Sequence, residues 1–416
     1  MTVLSFFKST VFLFVFVLAA CGQKHTSNSS HPLANSKKET GKVMVAANRT
    51  DAYLSLLKDK NVGVVANQTS VIFRIPNAKF QDSTTYTHLV DSLLSLDVSI
   101  EKVFAPEHGF RGQADAGEKV KDGMDTRTGL PIISLYGKNR KPSQEQLKDL
   151  DVVLFDIQDV GVRFYTYIAT LQLVMEACAE KGIPVVVLDR PNPNGHYVDG
   201  PTMEEEHTGF LGMNCIPLVY GMTIGEYATM VNGEGWLENG LKADLTVISL
   251  ENWTHETEYS LPIRPSPNLP NDTAINLYPS LGLFEGTNIN AGRGTEFQFQ
   301  RYGASFLDST KYDFSYVPRP NFGSKFPKEE GKVCHGKDLS QHPRMNEVSV
   351  RWVIDAHQNA LDKSKVFNTD NFTRHAGTAK LQQQIEAGLS EAEIKASWQK
   401  DLERFKKIRE KYLIYD

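Results

Sequence analysis

The chain has 416 residues, 40 % hydrophobic and 23 % charged, with 45 basic against 50 acidic side chains and a formal net charge of −5. This is the balance of a globular enzyme, and no basic block is present to track a phosphate backbone, which argues against nucleic acid as a partner. Apart from Cys21 there are three cysteines, Cys178, Cys215 and Cys334; so few and so scattered, they form neither a disulfide framework nor a zinc pattern and are expected to be buried free thiols.

The first 20 residues read as a signal peptide. Lys8 gives the positive flank, and the apolar run from Val11 to Ala20 is too short to span a bilayer well. Leu18-Ala19-Ala20-Cys21 reads as a bacterial lipobox, which makes Cys21 the expected lipidation site. Residues 21–47, rich in Ser, Asn, Lys and His, are then the lipidated cysteine and a flexible tether. The expected product is an exported bacterial lipoprotein, membrane-anchored through its N-terminal lipid alone, periplasmic or at the cell surface.

From residue 48 to 262 short apolar runs alternate with amphipathic segments, the pattern of a mostly parallel sheet with crossover helices. Strands are predicted at 61–67, 100–105, 132–137, 152–157, 184–189 and 244–249. Several are continuous apolar runs, as expected where both sheet faces are covered. Helices are predicted over 86–96 and 165–182, from a serine cap at Ser143 with Gln146 three residues on, and from a Thr223/Glu226 capping box. Prolines at 262, 265, 267, 270 and 279 predict an irregular connection. Residues 263–416 read as a smaller α+β domain with helices over 350–361 and 391–415. The fold class is therefore α/β, with the second domain α+β.

Ligands in such sheets bind beyond the carboxyl ends of the strands. Polar residues fall there repeatedly: Asn67, Gln68 and Thr69 after the first strand; Glu107, His108 and Arg111 in PEHGFRG after the second. Gln158, Asp159, Arg163, Tyr165 and Tyr167 follow VVLFDI, and Asp189-Arg190 ends PVVVLD. A second cluster, residues 284–305, sets Glu285, Asn288, Arg293 and Thr295 among glycines, and an arginine there is a natural carboxylate fork. Each residue also has a structural reading: Glu107 can pair with Arg111, Asp189 with Arg190, and the tyrosines can be core.

There is no G-x-S-x-G elbow, no H-E-x-x-H and no dinucleotide or Walker fingerprint, which argues against a serine hydrolase, a zinc hydrolase and a nicotinamide cofactor. What remains is acid/base chemistry by carboxylates, with amides, tyrosines and arginines holding a polar ligand, a profile that suits a sugar hydrolase needing no cofactor and no metal. A metal-dependent hydrolase built on Glu107, His108 and Asp156, and a non-catalytic lipid-anchored binding protein for cell-wall muropeptides or sugars, are the competing readings.

PEHGFRG (106–112), FDIQDVGVRFYTYI (155–168), LDRPNPNG (188–195), GMTIGE (221–226), PSPNLP (265–270) and EGTN…GRGT (285–295) occur in that order. Together they resemble the exo-β-N-acetylmuramidase family (NamZ type), a family of peptidoglycan glycoside hydrolases, from about residue 50 to the C-terminus. The resemblance implies a Rossmann-like N-terminal domain, a smaller C-terminal domain and an active-site cleft between them. It implies release of terminal β-linked N-acetylmuramic acid from the non-reducing ends of peptidoglycan fragments, with Glu107 as general acid/base. Asp159 and Glu285 are the candidates for a second catalytic group, and the substrate's own 2-acetamido group is an alternative. Asn67, His108, Arg111, Arg163, Tyr165, Tyr167, Asp189, Asn288 and Arg293 are the expected substrate-binding residues. Arg293, then Arg163, is the first choice for the lactyl carboxylate.

Overall fold

A computed structural model describes residues 41–74, 86–112 and 121–416. The predicted signal peptide, Cys21 and the tether up to residue 40 lie outside the described residues. The last residues assigned to the tether belong to the folded body: Met44 bridges Glu251, and Val45, Ala46 and Ala47 are buried. Among the described residues no helix is long and apolar enough to cross a membrane.

The chain enters through α1 (Thr50–Leu57) and β1 (Val62–Ala66), the middle strand of a seven-stranded sheet. An antiparallel pair, β2 (Val71–Phe73) and β3 (Tyr86–His88), leads into α2 (Leu89–Leu94). The sheet then grows on one side of β1 through β4 (Ile100–Ala105), β5 (Gly123–Met124) and β6 (Pro131–Ser134). On the other side come β7 (Val152–Asp156), α3 (Tyr167–Lys181), β8 (Val185–Leu188), α4 (Ile224–Glu234) and β9 (Leu245–Ile248). The order is β5-β6-β4-β1-β7-β8-β9, and every pair is parallel except β5 with β6. Numbered along the chain, the six parallel strands read 3-2-1-4-5-6, the doubly wound order whose direction reverses at β1. All six predicted strands are present.

Side-chain alternation sorts the sheet into two cores. Val62, Val64, Val103 and Leu154 point to one face, under Tyr53 and Leu57 of α1 and Leu89 and Leu93 of α2. Val65, Phe104, Val153, Phe155 and Val187 point to the other, where α3 and α4 pack. That second core runs on without a break into the C-terminal part, through Phe284, Tyr302, Trp352, Phe372 and Trp398. This part comprises α5 (Asp272–Leu281), a three-stranded antiparallel sheet of β10 (Arg301–Ala304), β11 (Phe314–Tyr316) and β12 (Cys334–Asp338) in the order β10-β12-β11, then α6 (Arg351–Gln358), α7 (Thr369–Ala376), α8 (Lys380–Glu386) and α9 (Glu391–Arg409). Ile394, Trp398, Leu402 and Phe405 form the buried stripe of α9, which carries the chain end back to the sheet.

Four local expectations are corrected. Residues 86–88 are strand, and α2 begins only at Leu89, because buried His88 caps it: its Nδ1 accepts from Val90 N at 3.3 Å, while Nε2 bonds the Asn67 carbonyl at 2.9 Å. Burial draws the His88 pKa down to about 4, which keeps the ring neutral for this task. The Ser143/Gln146 exchange forms, at 2.8 and 3.2 Å, but closes only a turn that stops at Asp149, whose φ is 63°. The proline-rich connection holds a helix, α5, capped by Asn271. Pro279 lies inside it, and the Ile275 carbonyl that lacks its usual partner accepts from Asn194 Nδ2 at 3.1 Å. Finally, Cys178 and Cys334 are buried free thiols as expected, but Cys215 is exposed.

Candidate active site

The reversal of strand order at β1 leaves a gap beyond the carboxyl ends of β1, β4 and β7, and the loops there are bonded to one another. Gln158 N donates to Thr69 Oγ1 at 3.0 Å, Ser70 Oγ donates to the Asp156 carbonyl, and Tyr167 OH donates to the Glu107 carbonyl at 3.3 Å. A tight turn follows β4: Gly109 N donates to Pro106 O at 3.0 Å, and His108 takes a left-handed φ of 69°. A non-glycine residue seldom adopts that conformation, and strain of this kind concentrates at functional sites. The turn lifts half-buried Glu107 into a cavity of about 810 Å³.

Thr166 Oγ1 donates to Glu107 Oε2 at 2.9 Å, and the Tyr136 hydroxyl lies against the same carboxylate, which with burial raises the tyrosine pKa. His108 and Tyr165 also line the cavity, and Tyr165 OH is fixed by donation to Pro265 O at 2.7 Å. The C-terminal part closes the far wall. Glu285, beyond α5, meets Arg293 Nη1 at 3.0 Å and His375 Nε2, on α7, at 3.9 Å. Arg293 Nη2 donates in turn to Gly323 O at 3.2 Å. Lys328 is exposed as a residue, yet its ammonium turns inward onto the carbonyls of Phe284, Glu285 and Thr287, and desolvation draws its pKa down to about 8. Glu107 and Glu285 are the carboxylates on the wall among the described residues; Arg140, Arg293, Lys328 and Arg374 are its strong cations. A cavity so charged, in an acidic protein, is suited to a ligand that brings its own negative charge.

The structure thus brings together Glu107, His108, Tyr165, Glu285 and Arg293, and it puts the other expected residues elsewhere. Arg111 is bound by Asp91 at 3.3 Å and Asp125 at 2.8 Å and lies over Phe110, so it braces the loop. Tyr167 is a layer behind Tyr165, its ring edge-on at 4.8 Å. Asn67 is wholly buried, and its Oδ1 accepts from Thr69 N and Oγ1 at 2.8 and 2.6 Å. Arg163 is 1 % exposed, has no carboxylate partner among the described residues, and donates to the carbonyls of Pro201, Ile216 and His375 at 2.8 to 3.0 Å. It ties α7 to the loop after β8 and does not reach the cavity. Asp189 accepts from Thr223 and Gly225 at the start of α4 and from Tyr415 OH at 2.6 Å, which anchors the chain end. Asn288 is exposed and donates to Lys365 O. Asp156 is paired with Arg190 beneath the floor, so it does not converge with Glu107 and His108 as a metal site would require.

Asp159 is also behind the wall. Its Oδ2 accepts from Tyr220 OH and from Gly161 N at 2.7 Å, while Oδ1 is buried without a hydrogen-bond partner among the described residues. Gly161 is needed there: its φ is 74°, and a side chain would collide with Asn192. Burial pushes the Asp159 carboxyl from 3.8 up to about 6. In that interval the folded chain keeps a proton that the unfolded chain has lost, so the group's contribution is present at low pH and fades as pH rises through about 6. Asp159→Asn is expected to flatten the decline. Urea midpoints of both proteins between about pH 4 and pH 7 test this, and parallel curves would refute it.

Several cavity residues carried little signal in the sequence. Thr166 sits between the two tyrosines of FDIQDVGVRFYTYI, and Tyr136 lies within the predicted strand 132–137; nothing in either segment marks its hydroxyl as a partner for Glu107. Asn268, Asn290, Lys328 and His375 arrive from separate parts of the C-terminal half and meet only in the fold.

Sequence models of the exo-beta-N-acetylmuramidase NamZ N-terminal and C-terminal regions match residues 62–273 and 276–415. The chain is 38 % identical over 431 aligned residues to the peptidoglycan beta-N-acetylmuramidase NamZ of Bacillus subtilis (strain 168), covering 98 % of this chain and 100 % of that protein. It is also similar to two solved DUF1343 family proteins of Bacteroides fragilis NCTC 9343. One is 42 % identical with a TM-score of 0.81, the other 25 % identical with a TM-score of 0.73; each match covers 90 % of this chain and 99 % of the other.

Proposed function

The chain belongs to the exo-β-N-acetylmuramidase family, a family of glycoside hydrolases, and from that premise we propose that it releases terminal β-linked N-acetylmuramic acid from the non-reducing ends of peptidoglycan fragments. The observation that carries the reading is the pair Glu107 and Glu285 in a cavity otherwise walled by aromatic rings, amides and cations. Glycoside hydrolysis needs a proton for the leaving oxygen and a second group to support the oxocarbenium-like centre. Glu107 is the general acid/base, held by Thr166 and Tyr136. It protonates the departing oxygen, and water supplies the hydroxyl at the sugar carbon. Glu285, oriented by Arg293, is the second carboxylate; Asp159, behind the wall, supports the floor.

N-Acetylmuramic acid carries a lactyl carboxylate that N-acetylglucosamine lacks. Arg293 was the first choice to read it, but its guanidinium is engaged by Glu285 and Gly323. Arg140, also on the cavity wall, lies over the Phe210 ring at 4.1 Å and forms no ion pair among the described residues, and so has donors to offer. Arg140 is therefore the proposed reader. Arg140→Ala is expected to lower kcat/KM on a chromogenic β-muramoyl glycoside by about 10- to 100-fold while sparing its β-glucosaminyl counterpart. Arg293→Ala should lower both, because it displaces Glu285. Equal losses in Arg140→Ala would refute the assignment, and a properly folded protein that releases nothing from the muramoyl glycoside would be a binding protein instead. The lipobox Leu18-Ala19-Ala20-Cys21 supports anchoring outside the cytoplasm, where wall fragments occur.

A further inference from the structure

The segment between β11 and β12 is pinned at two points. Gly323 O accepts from Asn268 Nδ2 at 2.7 Å and from Arg293 Nη2 at 3.2 Å. Five residues on, the Lys328 ammonium is held by the three carbonyls beyond α5, and the Lys328 carbonyl accepts from Asn290 Nδ2 at 2.8 Å. Between these anchors Phe326 lines the cavity yet is 90 % exposed, and Pro327 beside it stiffens the backbone. A large apolar side chain left almost wholly in water on a segment so firmly tied from within is not there for the core. Asn268, Arg293, Asn290 and Lys328, the residues that tie it, are themselves cavity residues, so the backbone that carries the ring is fixed relative to the site.

We propose that Phe326 is the platform for the leaving-group side of the substrate, stacking on the apolar C–H face of the sugar next to the scissile bond. The inference rests on the exo-acting reading. An enzyme that removes a terminal sugar buries that sugar beside Glu107 and must let the remainder of the saccharide leave through the mouth. An exposed aromatic ring on the cavity wall meets that remainder, because a pyranose offers one face of C–H groups while its hydroxyls stay hydrated at the edge. The occupant is thus a neutral or amide-bearing hexopyranose in β-linkage, and recognition is by apolar area. The platform favours saccharides over muramic acid carrying a small leaving group.

The test compares a β-linked tetrasaccharide with muramic acid at its non-reducing end and methyl β-N-acetylmuraminide, whose leaving group is too small to reach the ring. Phe326→Ala is expected to lower kcat/KM on the tetrasaccharide by roughly tenfold, leave the methyl glycoside unchanged and leave the melting temperature unchanged, while Phe326→Trp retains activity on both. No loss on the tetrasaccharide, or equal losses on both substrates, would overturn the platform while leaving the exo-acting reading intact. Hydrolysis of neither substrate by the unaltered protein would overturn that reading, and the platform with it.

Discussion

Glu107→Gln is expected to lose about 10²- to 10⁴-fold in turnover of a β-muramoyl glycoside and to keep its fold and its affinity for the sugar. Glutamine has the size of glutamate and can still accept from Thr166 Oγ1, which now donates at 2.9 Å. What it lacks is a proton to give. The carboxylate's surroundings need no rearrangement in the variant, because the turn that presents it is fixed by the backbone: by Gly109 closing on Pro106 and by Tyr167 bonding the Glu107 carbonyl. Circular dichroism and thermal melting of the variant should therefore match the parent. Steady-state turnover, read beside equilibrium binding of N-acetylmuramic acid, separates loss of chemistry from loss of the site. Parent-like turnover in a folded Glu107→Gln protein would remove the assignment.

Asp156→Ala is expected to cost about 3–5 kcal/mol of stability. Asp156 ends β7 with no exposed surface, and Arg190 reaches it from beyond β8 with one edge of its guanidinium, Nε and Nη2 donating at 2.6 and 2.8 Å. The same guanidinium donates to Val71 O at 3.1 Å, so one ion pair ties the ends of β7 and β8 to β2 beneath the cavity floor. Removing the carboxylate strands a buried positive charge, and that penalty exceeds anything the pair contributes by its mutual attraction. A double substitution, Asp156→Leu with Arg190→Met, should accordingly be less damaging than Asp156→Ala alone. Urea unfolding of the three proteins decides; an unshifted midpoint in Asp156→Ala would show that the floor does not depend on the pair.

The sheet was readable because its strands are covered on both faces. VGVVA, VVLF and VVVL are runs without a polar side chain, and all their residues are buried. Strand ends were readable for the same reason, which is how Glu107 and Tyr165 came to notice. The roles of the polar residues around them were not. Arg163, Asp189 and Asp159 follow strands just as Glu107 does, yet each has a partner far along the chain, 38, 226 and 61 positions away respectively. Nothing local distinguishes a carboxylate turned into a cavity from one turned under it. Helices α7 and α8 went unread because they are short, of eight and seven residues, and the buried face of α7 carries Thr373 and His375 where a core pattern would be apolar. Pro279 misled for a physical reason: a proline in a helix normally leaves a carbonyl without a partner, and here Asn194 supplies one from the other half of the chain.

The most direct test of the cavity as an exo-acting muramidase site is analysis of the products released from a peptide-free oligosaccharide with N-acetylmuramic acid at its non-reducing end. Free N-acetylmuramic acid should appear first, from that end alone, together with a saccharide shorter by one sugar. Internal fragments, release of N-acetylglucosamine ahead of N-acetylmuramic acid, or no release at all would contradict an exo-acting muramidase.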